Sequence, residues 1–307
     1  MKRDGGFALI AVLLVMAMVG VIGAEFAYSM RLEAASVRAY KDTLVAAHLA
    51  EAAVEQAMRE IAGEGFYVAT DDDGALTFYA RDRRPLNRLP RNKVPLGSGH
   101  FSYRLTDEQA RLNLNGAPPD RVSRLLEALG IDKIERDAII GSIQDWRDPN
   151  ENHRLNGAES EDTYLKLPVP YRSKNANFDS VNELMQIKGV TAAMMAGVDG
   201  KPGLAELVTV KTTGQVNINT AGPFVLRALN ISDAEYSEIV QSRRETPYLT
   251  AGGRFGNRGL AVTTRTFRID AEGILDGQVR ARITAIVQKR TDTGTETVSV
   301  VEWSGVR

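Results

Sequence analysis

Met1-Lys2-Arg3-Asp4-Gly5-Gly6-Phe7-Ala8-Leu9-Ile10-Ala11-Val12 opens the chain, and the uncharged run that begins at Phe7 reaches Ala24. The order of these parts decides the reading. A secretory signal peptide carries its small-residue cleavage site after the apolar stretch, so the greasy segment is discarded. Here the small residue, Gly6, stands before it. A cut after Gly6 would leave the apolar segment on the mature chain. A run of roughly 18 apolar residues is just long enough to cross about 30 Å of hydrocarbon as a helix. Lys2 and Arg3 place the leader on the cytoplasmic side. An uncleaved single-pass signal anchor has the same hydropathy, and the Gly6-Phe7 junction is what favours cleavage.

Beyond Ala24 the helix pattern continues without a break. Phe26, Met30, Val37, Tyr40, Leu44, Ala47, Val54, Met58 and Ile61 recur at spacings of threes and fours between charges, the pattern of an amphipathic helix. No proline interrupts residues 7 to 62, and Gly63 and Gly65 supply the stop. The rod would be roughly 80 Å long at 1.5 Å per residue. Gly20 and Gly23 are small residues at which membrane helices can approach closely. A leader ending in glycine, an apolar span kept at the mature N-terminus and an amphipathic continuation resemble the type IV pilin family. That family commonly carries a glutamate five residues into the mature chain, whereas this chain has Ala11. The resemblance implies that the glutamate pairs with the terminal amine of an adjacent subunit. A subunit without it suits the tip of a filament, where no further subunit lies ahead.

Even with the apolar run included, the 307 residues are 43% hydrophobic and 25% charged with formal net charge −1, so the remainder has the composition of a water-exposed protein. Such a chain can bury one or two cores. Near-neutral charge argues against a strongly basic nucleic-acid surface. With no cysteine there is no disulfide framework, no thiol nucleophile and no cysteine metal cluster.

After the rod, Phe66 to Ala69 and Leu76 to Ala80 read as short strands around an Asp71-Asp72-Asp73-Gly74 turn. Arg81 to Gly99 reads as an exposed loop, and His100 to Leu105 as a third strand. Then a unit appears twice. Leu112-Asn113-Leu114-Asn115-Gly116-Ala117-Pro118, leading into Val122, Leu125, Leu126, Leu129, Gly130 and Ile131, is echoed by Val216-Asn217-Ile218-Asn219-Thr220-Ala221-Gly222-Pro223, leading into Val225, Leu226, Leu229 and Ile231. Asparagines cap the turn, proline starts the helix, and the Leu/Val stripe faces inward. Between the copies, Asp179 to Gly189 reads as a capped helix ended by glycine. These units resemble helix-hairpin-helix or sterile-alpha-motif-like modules, which makes a pilin-like DNA-uptake or DNA-binding protein the rival function. A DNA-binding hairpin offers glycine-flanked amides to phosphate, but Gly189 is followed by Val190-Thr191 and Gly130 by Ile131-Asp132. An acid there repels phosphate.

The loop from Asp148 sets oxygen-bearing side chains at Asp148, Asn150, Asn152, Asn156 and Glu159, with Asp162 just beyond. Hard cations such as Ca²⁺ take six to eight oxygen ligands, and short Asp and Asn side chains let one loop wrap the ion. His153 stands where an EF-hand loop needs glycine, so the loop is calcium-like without being an EF-hand; a solvated loop of Asx turns is the alternative. Enzyme readings are weak. His48, His100 and His153 are separated, and neither a Gly-x-Ser-x-Gly elbow nor a phosphate loop is present. Asp145 and Asp148 could form a carboxylate pair for hydrolysis, yet nothing supplies a positioned nucleophile or an oxyanion site. The chain reads as a non-enzyme.

Thr266 to Ile274, Val279 to Val287 and Thr297 to Trp303 alternate as strands that close a sheet, while Thr250 to Arg258 reads as a flexible connector whose Arg254 and Arg258 could hold an anion. The fold class is α+β: a pilin-like fold with a long N-terminal helix, an antiparallel sheet and a large inserted all-helical domain. The expected divisions are a leader over 1–6, a membrane segment over 7–24, the helix continuation and first strands over 25–106, the helical insert over 107–245, and C-terminal strands over 246–307.

The ordered series Asp145-Trp146-Arg147-Asp148, Gly157-Ala158-Glu159 with Asp162 and Tyr164, Pro170-Tyr171-Arg172 and Val216-Asn217-Ile218-Asn219-Thr220-Ala221 resembles the type II secretion minor pseudopilin K family, also called the general secretion pathway protein K family. The resemblance implies a subunit at the tip of a periplasmic pseudopilus that drives protein secretion, anchored by one pass in the inner membrane with its C-terminal domain in the periplasm. It implies cleavage at Gly6 with N-methylation of Phe7. It implies calcium in the helical domain, for which Asp148, Asn150, Asn152, Glu159 and Asp162 are the candidate ligands; Asn150 and Asn152 replace acids often found there. Its implied partners are the minor pseudopilins I and J, the major pseudopilin, the prepilin peptidase and the inner-membrane secretion platform, with no nucleic acid.

Overall fold

The computed structural model describes residues 5–63, 65–71, 74–292 and 295–305. Most of the expected leader, residues 1–4, and Asp72-Asp73 of the expected turn therefore lie outside the described residues. Helix α1 runs unbroken over Gly5–Ala62, about 87 Å at 1.5 Å per residue. The hairpin β1 (Tyr67–Thr70) and β2 (Leu76–Tyr79) follows, then β3 (Val94–Leu96) and β4 (Gly99–Asp107). A helical insert comes next: β5 (Leu112–Asn113), α2 (Pro119–Leu129), α3 (Lys133–Arg147), α4 (Ala192–Ala196), α5 (Leu204–Leu207) and β6 (Val208–Thr209). Its second half holds β7 (Val216–Asn217), α6 (Pro223–Ala228), α7 (Asp233–Glu245) and β8 (Leu260–Ala261). Strands β9 (Thr266–Leu275), β10 (Gln278–Asp292) and β11 (Thr295–Ser304) then complete an antiparallel sheet in the order β11-β10-β9-β4-β3.

The first half of α1 is exposed and its second half lies on this sheet. The large side chains expected to face inward from Phe26 to Leu44 are in fact exposed, because the head begins only beyond them. The buried face is made of Ala46, Leu49, Ala50, Ala53, Val54, Ala57 and Ile61. Alanine is used there because helix and strand backbones nearly touch: a Cβ on Gly273 would sit 1.9 Å from the Ala46 carbonyl oxygen, and one on Gly99 would sit 2.5 Å from Leu49. Gly20 and Gly23 have open space around them within the chain.

The insert has its own hydrophobic core, separate from the core between α1 and the sheet. It leaves the sheet at Asp107 and returns at Phe267, which are paired neighbours on β4 and β9. Lys289, beside this edge, donates to the Gly63 carbonyl at the end of α1 at 2.7 Å. The other ends of the same strands lie against Ala46 and Leu49. The insert therefore rises from the end of the sheet farthest from the apolar rod.

The boundary expected at 245 moves. Residues 246–264 belong to the insert rather than to the sheet: Leu260–Ala261 pairs in parallel with Val216–Asn217, and Phe255 and Leu260 are buried in the helical core. Arg254 and Arg258 hold Glu235 and Glu238 instead of an external anion. The helix expected over 179–189 is a short 3-10 turn, Val181–Gln186, with a Ser180–Glu183 capping box. Gly189 follows at φ +91° and turns the chain away.

The two echoed sequences fold alike. In each, the first asparagine caps its own turn: Asn113 accepts from Asn115 N at 2.8 Å and Asn217 from Asn219 N at 3.0 Å. The second asparagine clamps a distant loop, Asn115 on the backbone of Phe178 and Asn219 on that of Tyr248. Each first helix ends in a left-handed residue, Gly130 or Asn230, and α2 packs against α6.

Candidate functional site

The last turns of α3 organise the acidic loop. Asp132 starts the helix by accepting from the Ile134 and Glu135 amides, and three turns later Asp145 projects into the protein with no exposed surface. Its carboxylate accepts from the Arg154 guanidinium at 2.8 Å and from the amides of Arg154 and Ala158 at 3.1 and 2.9 Å. The loop must come this close: a Cβ on Gly157 would lie 1.9 Å from the Asp145 carboxylate. Beside it, Trp146 packs edge-on against Tyr164, with ring centroids 5.6 Å apart. Burial pushes the Tyr164 phenol up to about 12. The loop over residues 148–178 is thus a fixed wrapper around one buried acid and one indole.

The five candidate ligands do not converge on one point. Asp148 accepts from Arg154 and from Asn150 Nδ2, and Asn150 in turn accepts from the Asn152 amide at 2.9 Å, a chain of Asx turns. Asp162 caps the Glu159 amide at 3.1 Å and pairs with His153 at 3.0 Å. Glu159 lies apart and inside, 1% exposed. One of its oxygens accepts from Ser173 Oγ at 2.6 Å; the other, Oε1, is buried with no hydrogen-bond partner. Burial, opposed by Ser173 and reinforced by Asp145, Glu151 and Asp148, holds the Glu159 carboxyl above its usual range.

Those causes name the group that faces Glu159. Asp145, Glu151 and Asp148 bear on it electrostatically, Ser160 and Asn175 both donate to Glu151 Oε1, and Asn175 Oδ1 is itself buried without a partner. Two orphaned buried oxygens beside several carboxylates suit a hard cation. The fit is incomplete. Among the described residues no three His, Cys, Asp or Glu side chains are gathered tightly enough to form a metal cluster, and Arg154 already pairs with both Asp145 and Asp148. Glu151, Ser173 and Asn175 were not legible as members, since Ser173 and Asn175 come from the far side of the loop.

The insert is fastened to the sheet by two consecutive acids. Asp107 is buried and accepts from Asn217 Nδ2 at 2.8 Å and Thr220 Oγ1 at 2.6 Å; burial, against those bonds, raises its pKa. Glu108 accepts from Arg111 at 2.6 Å, Thr209 at 2.7 Å and Arg268 at 3.1 and 3.2 Å.

The family described as "Type II secretion system (T2SS), protein K" matches residues 103–199, from β4 through the first helical unit and its acidic loop. The "Putative type II secretion system protein K" of Escherichia coli (strain K12) is 27% identical over 267 residues, covering 81% of this chain and 78% of that protein. Residues 103–199 thus match a type II secretion system protein K domain, and relatives named protein K align with the chain well beyond it. The "Type II secretion system protein K" of Aeromonas hydrophila is 27% identical over 239 residues, 72% of this chain and 69% of that relative. A chain in "The Crystal Structure of the GspK-GspI-GspJ complex from enterotoxigenic Escherichia coli Type 2 Secretion System" superposes with a TM-score of 0.66 over 89% of this chain and 98% of its own length, at 18% identity. That likeness is one of fold, the pilin-like α+β architecture. By these likenesses to protein K the chain is a minor pseudopilin, a structural component of the secretion system. Its single apolar helix among the described residues, beginning at Phe7, is long enough to cross a membrane.

Proposed function

We propose that this minor pseudopilin caps or nucleates the tip of the periplasmic pseudopilus, working through subunit contacts rather than catalysis. The observation that carries the reading is the position of the insert. It rises from the end of the sheet opposite the apolar rod, where a further subunit of a growing filament would have to sit. Ala11 supports it, because the apolar rod lacks the carboxylate that would pair with a subunit ahead. In this reading the leader is cut after Gly6, Phe7 becomes the methylated N-terminus, and the segment from Phe7 to Ala24 anchors the chain in the inner membrane. The minor pseudopilins I and J are the first partners, since the complex that holds the fold neighbour joins GspK to GspI and GspJ. The major pseudopilin, the prepilin peptidase and the inner-membrane platform follow from the filament pathway.

Immunogold labelling of the insert on isolated pseudopili tests the placement. Label confined to filament ends is expected, and label along the length would reject it. Mass spectrometry of the native chain should give Phe7 as the first residue, and Gly6→Leu should leave the leader attached and stop secretion.

We propose that Ca²⁺ binds at Glu159, with Asn175 and Glu151 as the further oxygen donors, and that Asp148, Asn150, Asn152 and Asp162, the other candidate ligands, shape the loop around it. The orphaned Glu159 Oε1 supports this set. The bound ion would supply positive charge that holds the wrapper closed. Calcium should raise the melting temperature of the wild type by ligand linkage and leave Glu159→Ala unmoved; an equal rise in both would remove the assignment.

A further inference from the structure

The second helical unit fills a place that the first leaves open. Arg147 ends α3 and Arg243 lies in the last turn of α7. Each guanidinium grips the turn that precedes its own unit's first helix. Arg147 donates to the Leu114 carbonyl at 2.7 Å and to that of Asn115; Arg243 donates to the carbonyls of Ile218 and Ala221 at 3.2 and 2.9 Å.

Their surroundings differ. Burial lowers the pKa of Arg243, and the phenols of Tyr236 and Tyr248 oppose that shift. Among the described residues Arg147 has no carboxylate partner, and its buried Nε has no hydrogen-bond partner at all. Burial lowers its pKa with no opposing cause. Beside it lies a cavity of about 270 Å³ floored by Pro119, Val122, Ile140 and Ile143 and rimmed by Gln144 and Arg154. Asp148, also at the rim, is already taken by Arg154.

A half-buried guanidinium without a counter-charge is unfavourable, and a carboxylate on it forms a charge-assisted, geometrically matched pair. The space falls just below the usual range of small-molecule sites and suits one medium-sized residue. One residue that brings both an apolar stem and a carboxylate is the last residue of a chain. We propose that the pocket between α2 and α3 captures the C-terminal carboxylate of a partner polypeptide ending in Leu, Ile or Val. The side chain lies on the apolar floor while the carboxylate meets Arg147, a form of terminal-carboxylate recognition.

Fluorescence anisotropy with full-length protein in detergent tests this, using fluorescein-labelled Gly-Ser-Gly-Leu as the free acid, as the C-terminal amide, and as Gly-Leu-Glu-Gly amide. The free acid should bind, with both amides at least about tenfold weaker. Because Arg147 also holds two carbonyls, its own substitution risks misfolding; Gln144→Glu and Ile140→Trp serve instead. Gln144→Glu places a carboxylate one turn from Arg147 and should cut binding about tenfold with no loss of melting temperature, while Ile140→Trp should fill the pocket and abolish binding. Equal affinity for acid and amide, tighter binding of the internal-glutamate peptide, no binding of the free acid, or undiminished binding by Gln144→Glu would each overturn the proposal.

Discussion

Glu108→Gln tests how the insert is held to the sheet. Glu108 has no exposed surface and gathers Arg111, Arg268 and the Thr209 hydroxyl. Thr209 belongs to the insert and Arg268 to β9, so one carboxylate ties both bodies together. Glutamine keeps the shape and one acceptor but leaves two part-buried guanidiniums without their anion. Removing one partner of a buried pair costs about 3–5 kcal/mol; the oxygen that glutamine retains places this case near the lower end. The two tryptophans supply the assay, since Trp146 lies in the insert core and Trp303 on β11. In urea, single-tryptophan versions made by Trp→Phe exchange should unfold together in the parent and apart in Glu108→Gln, with the Trp146 transition moved least. Coincident transitions, or a total loss under about 1 kcal/mol, the range of an exposed pair, would refute the reasoning. The pH dependence has a definite sign. Burial raises the Glu108 pKa, but Arg111 and Arg268 outweigh it and hold the carboxyl below its usual value. Its contribution is therefore complete above the unfolded glutamate value of about 4.3 and is lost as pH falls through the depressed folded value. Glu108→Gln should lack that part of the acid limb.

Gly273→Val should cost about 3 kcal/mol or more, because its Cβ would meet the Ala46 backbone; thermal unfolding checks it, and a loss under about 1 kcal/mol would mean α1 can lift off the sheet cheaply. Asn219→Ala should destabilise more than Asn115→Ala, by about 1 kcal/mol for the extra hydrogen bond, since Asn219 is fully buried and also donates to the Val262 carbonyl; equal urea midpoints would show the two clamps are equivalent. In chelator, the raised Glu159 pKa penalises the fold above that value and the penalty fades as pH falls toward the ordinary glutamate value. Wild type should therefore gain on Glu159→Gln in melting temperature as the buffer is acidified, and parallel curves would contradict this.

Much of the architecture could be read from residues with strong local signatures. The unbroken rod and the two Asn-turn-Pro units announce themselves in local pattern. The alanine face of α1 could not be read that way, because periodicity weights large side chains, and the large ones from Phe26 to Leu44 lie outside the head. What selects alanine is a glycine more than two hundred positions later. The segment after 245 misled for a related reason: Gly252, Gly253 and Gly256 signal a loop, but only the parallel pairing of Leu260 with Val216 shows which body owns it. At the acidic loop, composition located the region and failed on its geometry. Asp148 and Asn150 satisfy one another along the chain, whereas the buried oxygen belongs to Glu159, whose neighbours Ser173 and Asn175 arrive from the opposite side of a folded loop.

The pairing of Asp107 with Phe267 also sets an order of events during synthesis. Strand β4 emerges early but its partner β9 follows only after the whole insert, and the contact of Glu108 with Arg268 spans 160 positions. Closing so long a flexible loop is entropically costly, yet a loop that has already condensed presents its two ends side by side. The insert, with a core of its own, can collapse first and act as a template that delivers β9 to β4. Until then the alanine face of α1 has no sheet to lie on, so the first helix made waits for strands that are made last.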